Sequence, residues 1–245
     1  MKNIKLVIEY DGSQYFGWQK QKNSRSIQGT LEQVLSEVLK EDIEVIGCSR
    51  TDAGVHAKAY VLNFKSETKI PAEKIKYALN NKLPRDIVVL DSREVSEDFH
   101  ARYSSTGKTY VYTILNREMP SAIERNYVYH HPYNLNINAM KEACKFFIGT
   151  HDFSAFKNTG SSVQTSIRTI TKLEIDNKEY RIKIYISADG FLYNMVRIIV
   201  GTLILVGEGK LKPEEIDKII KSKDRKKAGK TAPAQGLCLL TSMYI

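Results

Sequence analysis

The chain has 245 residues, 42% of them hydrophobic and 27% charged, enough apolar side chains for one large domain or two small ones fused, which excludes a disordered polypeptide. Lysine and arginine number 37 against 28 aspartates and glutamates, a formal charge of +9. Such an excess points to a polyanionic partner, whether nucleic acid, an anionic membrane surface or an acidic protein.

Lys5 to Tyr10 is a short run of strand formers ending at the turn signal Asp11-Gly12, and a long polar loop follows to Arg25. From Ile27 the apolar residues Leu31, Val34, Leu35 and Val38 line one face of a helix, with Ser26 as its N-cap. Ile43–Cys48 and Ala59–Phe64 read as strands parted by a sharp turn at Asp52-Ala53-Gly54. Pro71 opens a second helix through Ile75 and Leu79, and Ile87–Val95 reads as a strand.

The same order, β-α-β-β-α-β, returns without visible sequence repetition. Thr109–Leu115 alternates as a strand, and Met140, Ala143, Cys144 and Phe147 have helical spacing. Ile170–Ile175 and Arg181–Ile186 form a hairpin turning at Asn177-Lys178. Helices follow from Leu192 and from Pro213 to Ile220, and Gly236–Ile245 closes with a strand. The expected fold class is α+β, two tandem ferredoxin-like (split β-α-β) subdomains at 1–105 and 106–245. Residues 1–105 carry 16 basic and 15 acidic side chains, whereas 106–245 carry 21 and 13, so the second subdomain holds most of the attraction for a polyanion.

Cys48, Cys144 and Cys238 suit neither a disulfide framework nor a four-ligand zinc site, so reduced thiols and a cytoplasmic setting are expected. The apolar run at the amino terminus breaks at Glu9, so no export signal is expected. Met195 to Val206 is too short for a membrane span and is interrupted by Arg197. His56, His100, His130, His131 and His151 show no metal-ligand spacing, so no metal is expected.

Three stretches carry candidate chemistry. Arg50-Thr51-Asp52-Ala53-Gly54-Val55-His56 brings a carboxylate to a glycine turn between two strands; on an extended backbone Arg50 and Asp52 leave the same face. The plainer reading is that Asp52 only starts the turn. Arg197 sits in a helix that is apolar all round, where a guanidinium needs a partner, and Asp52 is the candidate. Gly201, one turn on, would let another backbone come close. Between Phe99 and Tyr112, aromatic and basic residues interleave, a pattern that suits phosphates and unpaired bases, although tyrosines also cover cores. Gly107-Lys108-Thr109 imitates the end of a P-loop, but position 102 is Arg102 and the following residues read as a strand, so no nucleotide site is expected. The basic run Lys221, Lys223, Arg225, Lys226, Lys227 and Lys230 reads either as a solvated helix end or as a polyanion contact.

Glu9-Tyr10-Asp11-Gly12 with Phe16-Gly17-Trp18-Gln19, then Arg50 to Ala57, Lys108 to Tyr112, Gly190 to Arg197, and Ala232 to Leu237 together resemble the bacterial tRNA pseudouridine synthases of the TruA type. The likeness spans nearly the whole chain in the family's order. It implies a pseudouridine synthase fold, with antiparallel sheets meeting at a central active-site cleft. It also implies conversion of uridine to pseudouridine at positions 38 to 40 of the tRNA anticodon stem-loop by a homodimer, without metal or cofactor. Carried over by motif, Asp52 is the catalytic carboxylate, Tyr110 stacks on the target base and Arg197 pairs with the aspartate. Arg50 contacts RNA, Leu237 packs beside the uracil, and the Tyr15–Lys22 loop grips the tRNA. A non-catalytic RNA-binding protein with paired ferredoxin-like domains is the rival reading; it lacks an RNP1 aromatic signature and gives the Asp52 and Arg197 motifs no purpose.

Overall fold

The computed structural model describes residues 1–160 and 165–244. In chain order the elements are β1 (Lys2–Tyr10), α1 (Ile27–Leu39), β2 (Ile46–Gly47), β3 (His56–Ser66), α2 (Ala72–Asn80) and β4 (Ile87–Val95). There follow β5 (Ser105–Asn116), β6 (Tyr129–His131), α3 (Ile137–Cys144), β7 (Gly149–Asp152), β8 (Ile167–Lys178), β9 (Arg181–Ala188), α4 (Met195–Gly207), α5 (Glu215–Ser222) and β10 (Leu237–Tyr244). The fold is α+β and forms two compact units: Met1–Thr106 with the chain from Cys238 on, and Gly107–Leu237.

In the first unit β1 lies between β3 and β4, antiparallel to both, and β3 also pairs with β2. This is the split β-α-β arrangement. Ile4, Leu6 and Ile8 of β1 are fully buried, as are Ile27, Leu31 and Leu35 on the inward stripe of α1. Ser26 caps α1 as its sequence position implies, its hydroxyl accepting from the Gly29 N–H at 3.2 Å. β2 is shorter than the Ile43–Cys48 strand expected from sequence. The cause is α1, whose Ser36 hydroxyl and Glu32 carboxylate accept from the Ile43 and Val45 N–H groups before a ladder can. The sequence division assigned the closing strand to the second subdomain. In the structure it groups with the first, Cys238 and Leu239 pairing parallel to His56 and Ala57 of β3.

In the second unit β9 lies between β5 and β8, antiparallel to both, with β7 beyond β8 and the short β6 parallel to β5. α3 packs against α4 and β8. The β8–β9 turn falls at Glu179-Tyr180, two residues later than the expected Asn177-Lys178, which instead pair with Ile182 and Arg181. The winning register sets Leu173 opposite Ile186 and Ile175 opposite Ile184, all buried. It does so despite a left-handed Glu179 at φ 53°, a conformation costing about 1–2 kcal/mol. α4 is buried along most of its length, as its all-round apolar sequence requires. No helix among the described residues is long and apolar enough to cross a membrane.

Ser26→Ala removes the α1 cap from a buried position and is expected to cost about 1–2 kcal/mol. A urea titration checks this through a lowered midpoint at unchanged slope.

Candidate functional site

Asp52 lies on the loop that joins β2 to β3, half-buried, with Arg50 exposed two residues before it. The backbone closes the turn: the Val55 N–H donates to the Asp52 carbonyl at 3.2 Å, and Gly54 takes φ 79°. Positive φ at the third position is the geometry of a type II turn, which glycine adopts without steric cost.

What holds this turn is the loop after β1. The Thr51 carbonyl accepts from the Trp18 N–H at 3.1 Å, and its hydroxyl lies 2.9 Å from the Tyr10 hydroxyl. The Gly54 N–H donates to the Tyr15 carbonyl at 3.3 Å, and the Gly12 N–H donates to His56 Nδ1 at 3.1 Å. Backbone meets backbone so closely that a Cβ on Gly12 would stand 2.0 Å from the Val55 oxygen, and one on Gly17, at φ 87°, 2.5 Å from the Thr51 oxygen. The loop is itself tied down. Ile27 and Gln28 N–H groups donate to the Gly17 and Trp18 carbonyls, and Trp18 stacks on Tyr60 with centroids 4.1 Å apart. Arg25 packs over the Tyr15 ring and pairs with Asp86, to which the Tyr15 hydroxyl donates at 2.5 Å. Burial and then that hydrogen bond push the Tyr15 phenol well above the usual tyrosine range. Phe16 is left 62% exposed at the tip.

Tyr110, Arg197 and Leu237 belong to the other unit. Tyr110, on β5 opposite Ile186, is 6% exposed and meets Phe191 edge-on at 5.2 Å. Tyr112, two residues on, is buried and donates to the Pro233 carbonyl at 2.8 Å. Arg197, half-buried in the first turn of α4, donates from Nε to the neighbouring Ala232 carbonyl at 2.7 Å, while the Ala232 N–H donates to the Arg197 carbonyl. Its Nη1 donates to Asn194 Oδ1 at 2.9 Å. Burial pushes the Tyr112 phenol far above its ordinary value, and the Arg197 charge opposes that rise.

The segment 228–237 straps these groups together. Lys230 crosses α4 at Gly201, where a Cβ would stand 1.8 Å from the Lys230 oxygen, the close approach expected from sequence. Gly236 lies against the Tyr112 ring, and Leu237 starts β10 buried. Arg225 binds the start of the strap, donating to the Gly229 carbonyl at 2.9 Å, Thr231 Oγ1 at 3.2 Å and Asn158 Oδ1 at 3.0 Å. It is therefore a structural tie within the basic run. Lys223 pairs with Asp152, and this hydrogen bond, with those from Ser154, holds that carboxyl below the usual range. Lys226, Lys227 and Lys230 are exposed.

Asn194 and the Ala232 carbonyl are partners of Arg197 that sequence reasoning missed. The signal for Asn194 was its place three residues before Arg197, where helical spacing brings side chains together.

A family model described as tRNA pseudouridine synthase matches residues 6–104 and 143–244. Over the full length of both chains, the sequence is 61% identical to a tRNA pseudouridine synthase A 2 of Clostridium perfringens and 56% identical to a tRNA pseudouridine synthase A of Clostridium acetobutylicum. A tRNA pseudouridine synthase A of Acetivibrio thermocellus is 51% identical, again over the whole of both chains.

Gly17→Ala forces a left-handed alanine into the Thr51 carbonyl and is expected to cost about 1–3 kcal/mol. The check is a lowered urea midpoint, with amide exchange raised first at Thr51–Val55.

Proposed function

The chain belongs to the tRNA pseudouridine synthase family, and from that premise we infer that Asp52 is the carboxylate with which it isomerises uridine in tRNA. The observation that carries this reading is the Asp52 turn itself. A half-buried carboxylate sits on a loop whose backbone is bonded at the Thr51 and Asp52 carbonyls and the Gly54 and Val55 N–H groups, and on which the loop after β1 packs at Gly12 and Gly17.

The chemistry needs little more from one acidic group. The N1–C1′ bond breaks, the freed uracil turns, a C5–C1′ bond forms and the C5 proton leaves. Nothing is oxidised and no group passes to a carrier. Asp52 serves either by adding to the nucleoside or by removing a ribose proton, with acid–base steps after it. By the family motif, Arg197 is the residue that pairs with the catalytic aspartate. The Arg197 guanidinium donates to Ala232 O and Asn194 Oδ1, which orient it. Tyr110 stacks on the target uracil, Leu237 packs beside it, and Arg50, exposed beside the turn, contacts the RNA once the base has left its stack. The substrate region is the anticodon stem-loop, at positions 38 to 40, and the active form is a homodimer in the cytoplasm; the resemblance of the motifs to the family supports these.

Asp52→Asn and Asp52→Ala are expected to bind tRNA with near-normal affinity and to release no tritium from uracil-C5-labelled tRNA; turnover by either removes Asp52 from the mechanism. The same assay on the unaltered protein, without added metal or carrier, separates an isomerase from a protein that only binds RNA. Tyr110→Phe keeps the ring and should retain most turnover. Tyr110→Ala should lose about tenfold or more, the order of one base–aromatic stack, and full activity there would contradict stacking at this position.

A further inference from the structure

The aromatic and basic stretch before β5 contains a second group of rings that the reaction at Asp52 does not use. Tyr103 is 76% exposed, yet its surroundings are ordered. The His100 ring lies against it at 4.3 Å and 34°, and the Arg102 guanidinium stands 5.5 Å from its centroid. The turn that carries them is closed on itself. The His100 N–H donates to Ser104 Oγ at 3.0 Å and the Ser104 N–H to the His100 carbonyl at 2.8 Å, while His100 Nδ1 accepts from the Arg102 and Tyr103 N–H groups at 3.2 Å each. With Nδ1 accepting, the imidazole proton of the neutral ring sits on Nε2.

This turn is anchored from below by two buried asparagines. Asn63 Oδ1 accepts from the Ala101 N–H at 2.8 Å, and Asn63 Nδ2 donates to Asn3 Oδ1 at 2.9 Å. Asn3 Nδ2 donates to the carbonyls of Ser96 and Phe99, and the Tyr244 hydroxyl donates to that of Ala101 at 2.7 Å. Buried side-chain amides are tolerated only when satisfied. Here their hydrogen bonds fix Phe99 and Ala101 and so hold His100, Arg102 and Tyr103 outward. Core packing explains Ala101, which is 0% exposed, but not an aromatic ring displayed on a rigid turn. The nearby charge is mixed, with Glu97 and Asp98 exposed just upstream and Lys65 3.9 Å from Glu97. The recognition therefore rests on the rings and one guanidinium, and not on a broad positive field.

Resting on the reading of tRNA as substrate, we propose that His100, Arg102 and Tyr103 form a stacking platform for an unpaired base of the bound tRNA, Tyr103 supplying the π-face and Arg102 meeting the adjoining phosphate. Exposed on a pre-ordered turn, the ring binds a splayed base with little ordering cost.

Direct binding by filter retention tests this separately from turnover. Tyr103→Ala should weaken tRNA binding about tenfold and raise KM equally, leave kcat at saturating tRNA within twofold, and leave the urea midpoint unchanged. Tyr103→Phe should bind like the unaltered protein. On a fully paired RNA duplex the Tyr103→Ala loss should disappear, whereas Arg102→Ala should weaken both RNAs and lower the salt slope by about one. Unaltered tRNA binding by Tyr103→Ala, or an equal loss on duplex, overturns the platform and leaves the Asp52 assignment standing. Absence of pseudouridine formation by the unaltered protein overturns the reaction, while the binding comparison still decides the platform.

Discussion

The close approach of the loop after β1 to the Asp52 turn, backbone against backbone at Gly12 and Gly17, is the constraint on which the carboxylate's position depends. A turn of four residues has too few internal hydrogen bonds to hold a side chain still. It becomes rigid when another segment bonds it as well, and here the Tyr15 carbonyl takes the Gly54 N–H while the Trp18 and Gly12 N–H groups bond the flanking Thr51 carbonyl and His56 Nδ1. That segment is fixed in turn by the first residues of α1, by the Trp18–Tyr60 stack and by Arg25 with Asp86. The buried Glu32 adds a further tie. It accepts from Gln28 and from the Val45 N–H while pairing with Lys20, so helix, loop and the approach to β2 share one carboxylate.

The second unit follows the same logic with a different device. Its strap passes over Gly201 and Tyr112 and uses carbonyls at 232 and 233 to orient Arg197 and Tyr112. Arg225, at the start of the strap, spends its guanidinium on backbone and neutral side chains. Burial lowers its pKa from the ordinary arginine value. A residue that reads as one more cation in a basic run thus acts inside the fold, while its lysine neighbours Lys226, Lys227 and Lys230 are exposed.

Much of the element order was legible because periodicity and capping act locally. Ser26 with the Ile27–Leu35 stripe announced α1, and Ile87–Val95 announced β4 with its observed ends. The misreadings share one cause, since each depended on partners outside the segment being read. β2 shrank because Ser36 and Glu32 took its N–H groups, and the β8–β9 turn moved because apolar pairing across the hairpin outweighed the turn preference of Asn177. β6 and β7, three and four residues long, carry too little pattern to be seen without the strands they join.

By itself the sequence determined the α+β class, the split β-α-β order, the +9 charge and, through five motifs in one order, the family. Those properties follow from local spacing and from residue types, which a linear reading contains. Only the tertiary structure decided why Gly12 and Gly17 accompany Asp52, why the Ala232 carbonyl accompanies Arg197, and which unit receives the last strand. It also decided that Tyr112 faces inward while Tyr103 is held outward by Asn3 and Asn63. The physical reason is that satisfaction of buried backbone and amide groups is a property of three-dimensional neighbours, and those neighbours lie tens of residues away along the chain.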